Sequence, residues 1–222
     1  MTFNDLVNMY DDYMVAYGAE AYNHISDLLR QAKIRHKNDF QGLDHEQSWR
    51  AFKGKNFEKL LLHIIQKEIR NIGFEVISGN TLETSLCQNL PDDLRKIKKS
   101  LLIDFGKNGS HLPDIDIVLY HPKSLIVKAV ISIKVTLRER IAQTAYWKIK
   151  LFKNKETKHI KVFFMTLDED KTFADNEHMS KARAIVEHEL DGSYVLTENK
   201  FKKSRKVKPF ALFIDDLKKL LK

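Results

Sequence analysis

The chain has 222 residues, 43% of them hydrophobic and 31% charged, which excludes wholesale disorder and allows one large domain or one domain with a helical appendage. A net charge of +8 and a pI of about 9.3 favour a polyanionic partner, nucleic acid before an acidic membrane or protein. No Cys/His set has zinc spacing, and there is no internal repeat or low-complexity tract.

The N-terminus, MTFNDLVNMYDDYMVAYGAEAY, is acidic and lacks a long apolar run. It reads as neither signal peptide nor membrane span, so the expected location is the cytoplasm, with no membrane partner. Residues 2–35 carry Leu6, Met9, Tyr10, Tyr13 and Met14, then Ile25, Leu28, Leu29 and Ala32, at helical spacing, with Gly18 as a break. Residues 1–48 are therefore expected to form a helical arm, a candidate dimerisation element, and residues 49–222 the main domain. The polar segment 36–56 holds two glycines and predicts a linker or turns. A strong helix follows over 57–73, with Phe57, Leu60, Leu61, Ile64, Ile65 and Ile69 as its stripe and Gly73 as its stop.

FEVIS (74–78) reads as a strand. The lone Cys87 excludes an internal disulfide and reads as a bystander in a reducing setting. A helix is predicted over 91–102, opened by Pro91, then a glycine-rich loop over 103–114. Two β-branched runs, 115–121 and 125–134, flank a proline-containing turn and predict an antiparallel pair. Beyond them come a helix (137–153), a strand (159–168), a polar helix (175–190), a short strand (193–198), a basic run (200–209) and a strand entering an amphipathic helix (210–222). The expected fold is α/β (α+β), a central mixed sheet flanked by helices.

Strand side chains alternate in direction. Lys128, Val130, Ser132 and Lys134 then share one face, and Val127, Ala129, Ile131 and Ile133 the other. Asp114, Asp116 and Val118 share a face of the preceding strand. Pairing the two strands gathers Asp116, with Asp114 near it, against Ser132 and Lys134. An acid opening an apolar strand is costly to bury without a cation. Such a group suits phosphodiester hydrolysis: carboxylates hold a divalent metal, usually magnesium, and a lysine orients the attacking water and offsets charge on phosphorus. A plain ion pair at a strand end is the competing reading. Thr136 and Glu139 are spaced as a capping box, which would start a helix just after Lys134 with its N-terminal dipole towards a phosphate.

The pattern PDIDIVLY, followed by a strand ending in S-I-K, resembles the PD-(D/E)xK nuclease signature. The extension K-V-T-L-R-E-R is similar to the K-x-[ST]-x-R-[DE]-R run of type II restriction endonucleases that read CCGG or CCNGG cores. The upstream W-R-A-F-K-G-K-N-F-E-K-L-L resembles the helix bearing an accessory glutamate in that branch. The match covers residues 49–66 and 112–148.

The resemblance implies Mg2+-dependent cleavage of double-stranded DNA at a short, palindromic, G·C-containing site, leaving 5′-phosphates. It implies Asp116 as metal ligand, with Asp114 as the close alternative, and Lys134 as the catalytic lysine. Ser132 stands where the usual second acid would. In this branch a glutamate thirteen residues after the lysine takes over, but that position is Trp147. Glu58 is the replacement candidate for both metal binding and catalysis. Arg138, Glu139 and Arg140 would read consecutive G·C pairs, since arginine bonds guanine O6 and N7 and a carboxylate accepts from cytosine N4. Gln143 would support Glu139 or touch a flanking base. Thr136, Lys202, Lys203 and Arg205 are the backbone candidates, and Tyr146 and Trp147 are expected in the core. A palindromic site implies a homodimer, and a restriction system implies a cognate DNA methyltransferase. Two other readings stay open: a repair or recombination nuclease that reads DNA shape, and a DNA-binding protein with a decayed site, to which Ser132 and Trp147 point.

Overall fold

The computed structural model describes residues 1–84, 86–137, 140–174 and 178–220, with the side chains of 87 and 220 left aside. The expectations for Arg138, Glu139 and the Cys87 side chain therefore fall outside the described residues. Six strands form one mixed sheet in the order β1-β4-β5-β6-β7-β8. They are β1 (Glu75–Ser78), β4 (Ile117–Tyr120), β5 (Val127–Lys134), β6 (Lys161–Thr166), β7 (Gly192–Val195) and β8 (Val207–Pro209). The first three are antiparallel neighbours, and β5 through β8 run parallel. The short β2 (Ile103–Asp104) and β3 (Ser110–His111) pair separately.

Helices cover both faces, because β4, β5 and β6 are almost continuously apolar and need burial on each side. One face packs α1 (Phe3–Tyr17), α2 (Ile25–Asp39), α3 (His45–Asn71) and α8 (Phe213–Leu220) over Ile117, Ile131, Ile133 and Phe163. The other packs α4 (Gly79–Thr84), α5 (Asp92–Leu101), α6 (Arg140–Lys153) and α7 (Lys181–Glu189) over Val118, Val130, Val162 and Phe164. Each fully buried aliphatic or aromatic side chain here contributes roughly 1.5–3 kcal/mol. Leu6, Ile25 and Leu28 of the N-terminal helices lie in the same cluster as Phe57 and Leu60.

The predicted linker 36–56 is corrected. From His45 onward it is the first half of α3, a 27-residue helix capped by Asp44, whose side chain accepts from the Gln47 N–H. Polar composition concealed a helix whose inward face carries the buried Trp49 and Asn56. Near the C-terminus, the segment 210–212 is a 3-10 turn, not a strand; the strand is the preceding β8, formed by the end of the basic run. Val127 packs with the face of Val118 and Val130, because a register shift at Leu119/Tyr120 reverses the alternation expected for it. Tyr146 is 43% exposed, not core.

The α2–α3 junction buries an aromatic cluster. His36 sits 5.2 Å from His45, 5.3 Å from Phe52 and 5.6 Å from Trp49, between ring centroids. Its Nδ1 and the Nε2 of His45 are buried without a hydrogen-bond partner among the described residues. Burial first, and the neighbouring His45 second, depress the His36 pKa below its ordinary value of 6.5. A histidine depressed in the fold stabilises it above the unfolded pKa, and that stability is lost as pH falls through the folded value. The wild-type Tm should therefore drop between about pH 7 and 5 by more than that of His36→Phe; equal drops would show that His36 is not the titrating group.

Candidate active site

Asp116 lies just before β4, where the antiparallel register against β5 fixes it. Its N–H donates to the Ile131 carbonyl at 3.0 Å, and its own carbonyl accepts from the Gly79 N–H at 2.9 Å. Gly79 is required there: an added Cβ would stand 1.7 Å from the Ile115 carbonyl oxygen. The Asp116 carboxylate accepts from the Ile133 N–H at 2.5 Å and from Lys134 Nζ at 2.8 and 3.1 Å. Both side chains are about 90% buried, with exposures of 9% and 10%. A buried charge pair is tolerated only when its remaining valences are met, and the β5 backbone meets one of them.

Glu58 enters from α3, one helical turn past Gly54. Its Oε1 is 3.8 Å from Lys134 Nζ. Burial first, then the Asp116 charge, push the Glu58 pKa up to about 7, against the pull of Lys134. At 38% exposure, water still screens part of that field. Two carboxylates thus converge on one ammonium. Ser132, buried on β5 two residues before Lys134, cannot supply a carboxylate, and Glu58 is the acid that reaches the pair.

Asp114 is exposed and lines a neighbouring cavity of about 410 Å³ with Glu83, His111 and Trp147, while its charge still adds to the rise of the Glu58 pKa. Trp147 therefore sits beside Asp114 rather than beside Lys134, with its indole N–H buried and unpartnered among the described residues. Asp116, Lys134 and Glu58 come together; Asp114 stays at the border.

Glu58 and Lys134 open onto a cleft of about 560 Å³ whose walls also carry Arg50, Lys53, Thr136 and Arg140. Among the described residues α6 spans Arg140–Lys153, and the Arg140 N–H donates to the Leu137 carbonyl at 3.0 Å. The Leu137 N–H is bound by Asp170, at 3.1 and 3.3 Å to its two oxygens, so a distant carboxylate holds the turn before α6; the expected capping box, which needs Glu139, lies outside the described residues. Gln143 is exposed one turn after Arg140. The basic run lies elsewhere: Lys202 and Lys203 line a separate cavity of about 450 Å³ with Arg183 and Glu187, and Lys208 pairs with Asp216 at 2.6 Å. Arg50 and Lys53 were not singled out because composition read their segment as linker, although the stretch 49–61 also resembles a helix of the family. Their spacing to Glu58 (i, i+3 and i+8) is the signal that could have placed them on one helical face.

Comparison with known proteins bears on this arrangement. The family model described as BsaWI restriction endonuclease type 2 matches residues 93–216, more than half of the chain, including β4, β5 and α6. MjaVIP of Methanocaldococcus jannaschii, named as a type II restriction enzyme, is 34% identical over 213 residues, covering 88% of this chain and 92% of that protein. HpyAORF263P of Helicobacter pylori, also named as a type II restriction enzyme, is 28% identical over 149 residues, covering 67% of this chain and 74% of that protein. The AgeI restriction endonuclease, solved as a specific complex with DNA, shares the fold, with a TM-score of 0.59 and 14% identity over 97% of this chain and 91% of that one. A mixed sheet with an acid at the head of one strand, a lysine at the end of its antiparallel neighbour, and this sequence kinship identify the chain as a type II restriction endonuclease of the PD-(D/E)xK fold, in the BsaWI family.

Proposed function

We propose that the chain hydrolyses phosphodiester bonds of double-stranded DNA at a short, G·C-containing palindrome, with Mg2+ as cofactor. The observation that carries this reading is the convergence of Asp116 and Glu58 on Lys134, where Glu58 and Lys134 line a cleft rimmed by cations. Among the described residues no three His, Cys, Asp or Glu side chains gather as a metal cage. Magnesium does not need one: it binds through one or two carboxylates and completes its shell with water and substrate phosphate. The donor set fits, because Asp116 and Glu58 offer two carboxylates whose mutual repulsion a divalent ion would relieve. Asp114 is the weaker candidate ligand, since it faces the neighbouring cavity.

When bound, magnesium supplies positive charge against the scissile phosphate and lowers the pKa of a coordinated water. The protein does the rest. Asp116 is fixed by the Ile133 N–H, so its carboxylate is pre-oriented. Lys134 donates to Asp116 and keeps its ammonium at the cleft floor, where it positions the attacking water and offsets charge building on phosphorus. Glu58 holds a proton through mildly acidic pH and releases it near neutrality, so ligand and cofactor compete with that proton. Ser132 acts through packing beside these groups.

Base reading falls to the start of α6, with Arg140 at the cleft and Gln143 one turn on. Arg138 and Glu139 belong to the same proposal, though outside the described residues. Thr136, at the cleft wall, and Lys202, Lys203 and Arg205 on the basic run are backbone contacts. A palindrome is read by two copies related by a two-fold axis, which makes the chain a homodimer on DNA, with the 1–48 arm as interface. A methyltransferase protecting the host's own sites is its partner in the cell, and both act in the cytoplasm. No helix among the described residues is long and apolar enough to cross a membrane.

Plasmid incubated with the protein and Mg2+ should yield discrete fragments, and EDTA should abolish them. Lys134→Ala should lower the rate by at least about 10²-fold while leaving DNA binding largely intact; near wild-type cutting by that variant would remove Lys134 from the chemistry, and an uncut plasmid with wild type in both magnesium and manganese would favour a binder with a decayed site.

Glu58 makes a second, separate prediction. Its pKa is raised from 4.5 to about 7 in the fold, so its ionised form destabilises the metal-free protein as pH rises through that range. Glu58→Gln should therefore raise Tm more at about pH 8 than at about pH 5, and should weaken Mg2+ binding measured by calorimetry. A Tm change independent of pH, with unaltered metal binding, would take Glu58 out of the site.

A further inference from the structure

The cleft holds charged groups that the hydrolytic reading does not use. Arg50, Lys53, Gly54 and Glu58 lie on one face of α3, so that face forms a wall of the cleft. Lys53 is only 16% exposed, and its ammonium is bound by both oxygens of Glu169 at 2.7 and 2.9 Å, across 116 residues of chain. Arg50, one turn earlier, is exposed and makes neither a hydrogen bond nor a salt bridge with the described residues. Between Lys53 and Glu58 the wall is bare: a Cβ built on Gly54 meets nothing within 4 Å. A glycine inside a helix is less favourable than alanine, and here its effect is to keep the helix backbone open to whatever enters the cleft.

We propose that this wall is a phosphate subsite for the DNA backbone, with Lys53 and Arg50 as its cations, and that Glu169 is a built-in phosphate surrogate that occupies Lys53 until DNA displaces it. The proposal rests on reading the cleft as the DNA-cleaving site. Two carboxylate oxygens on one ammonium present the geometry that two phosphate oxygens would present. Glu169 is 42% exposed, so it can swing to solvent without leaving a buried charge behind. Its loop is anchored on both sides independently of that contact: the Glu169 N–H donates to the Val135 carbonyl, Asp168 accepts from the Thr172 and Phe173 N–H groups, and Asp170 holds the Leu137 N–H. Release of the Glu169 side chain therefore leaves the approach to α6 in place. Gly54 gives the sugar-phosphate chain room to lie against α3 between the two cations and the hydrolytic groups.

A surrogate and a structural partner respond oppositely to neutralisation. Binding of a random-sequence duplex in EDTA, read by fluorescence anisotropy, separates them, because phosphate contacts are independent of sequence. Glu169→Gln should tighten binding by about fivefold, the scale of an exposed ion pair. The gain should vanish in the Lys53→Ala background. Lys53→Ala and Arg50→Ala should each weaken binding and reduce the slope of log affinity against log salt by about 0.9. Gly54→Leu should fold normally and bind less tightly. Binding by Glu169→Gln that is unchanged or weaker overturns the proposal, as does an equal gain with Lys53 removed, which would reflect net charge alone. Cutting of plasmid by wild type with Mg2+ is scored in parallel. Cutting without the Lys53-dependent gain removes the subsite and leaves the nuclease reading standing; the gain without cutting does the reverse.

Discussion

The ion pair between Asp116 and Lys134 is the constraint on which the rest depends. Two opposite charges, each about nine-tenths buried, sit where two core strands end. Burying such a pair costs several kcal/mol per ion before attraction and hydrogen bonding offset it. The sheet makes it tolerable: the Ile133 N–H takes one Asp116 oxygen, and the antiparallel register of β4 and β5 holds both side chains within reach. Slipping that register by one residue would swap the two packed faces of β5 and pull Lys134 out of line with Asp116. The hydrophobic core and the proposed chemistry thus rest on the same pairing, and a mutation that loosens one should loosen the other.

Around that pair the charges are deliberately unequal. Asp116 and Glu58 share one lysine, so two carboxylates meet one ammonium; burial first, and the Asp116 charge second, raise the Glu58 pKa. The walls carry the opposite excess, Arg50, Lys53 and Arg140 against the single Glu169. On the proposed reading, a polyanion is drawn to the rim, while the floor would attract a cation that the polyanion then helps to hold. The overall charge of +8 gives the same preference at longer range, where salt screens it within about 10 Å.

Much of this was legible in the residues. The β-branched runs at 115–121 and 125–134 dictated a hairpin, and period-two alternation put Ser132 and Lys134 on one face of it. The acid before an apolar strand had to meet a cation, and it does. What escaped was long-range or disguised. The helical character of 45–56 was hidden by polar residues and two nearby glycines, although Asp44 is a sound N-cap and Trp49 lies on the buried stripe. The hold of Asp170 on Leu137 spans 33 residues and has no local signature. The bulge that reverses Val127 depends on how two strands twist against each other. Glu58 was reached from the sequence through kinship with a helix elsewhere, because spacing alone cannot bring a residue 76 positions away to Lys134.

The most direct measurement is a crystal structure of the protein grown with Mn2+, whose anomalous signal locates the ion without reference to activity. A peak shared by the Asp116 and Glu58 carboxylates, with Lys134 adjacent, is the predicted result. A peak instead between Asp114 and Glu83, in the cavity that Trp147 borders, would contradict the account and move the catalytic centre to the other side of the strand.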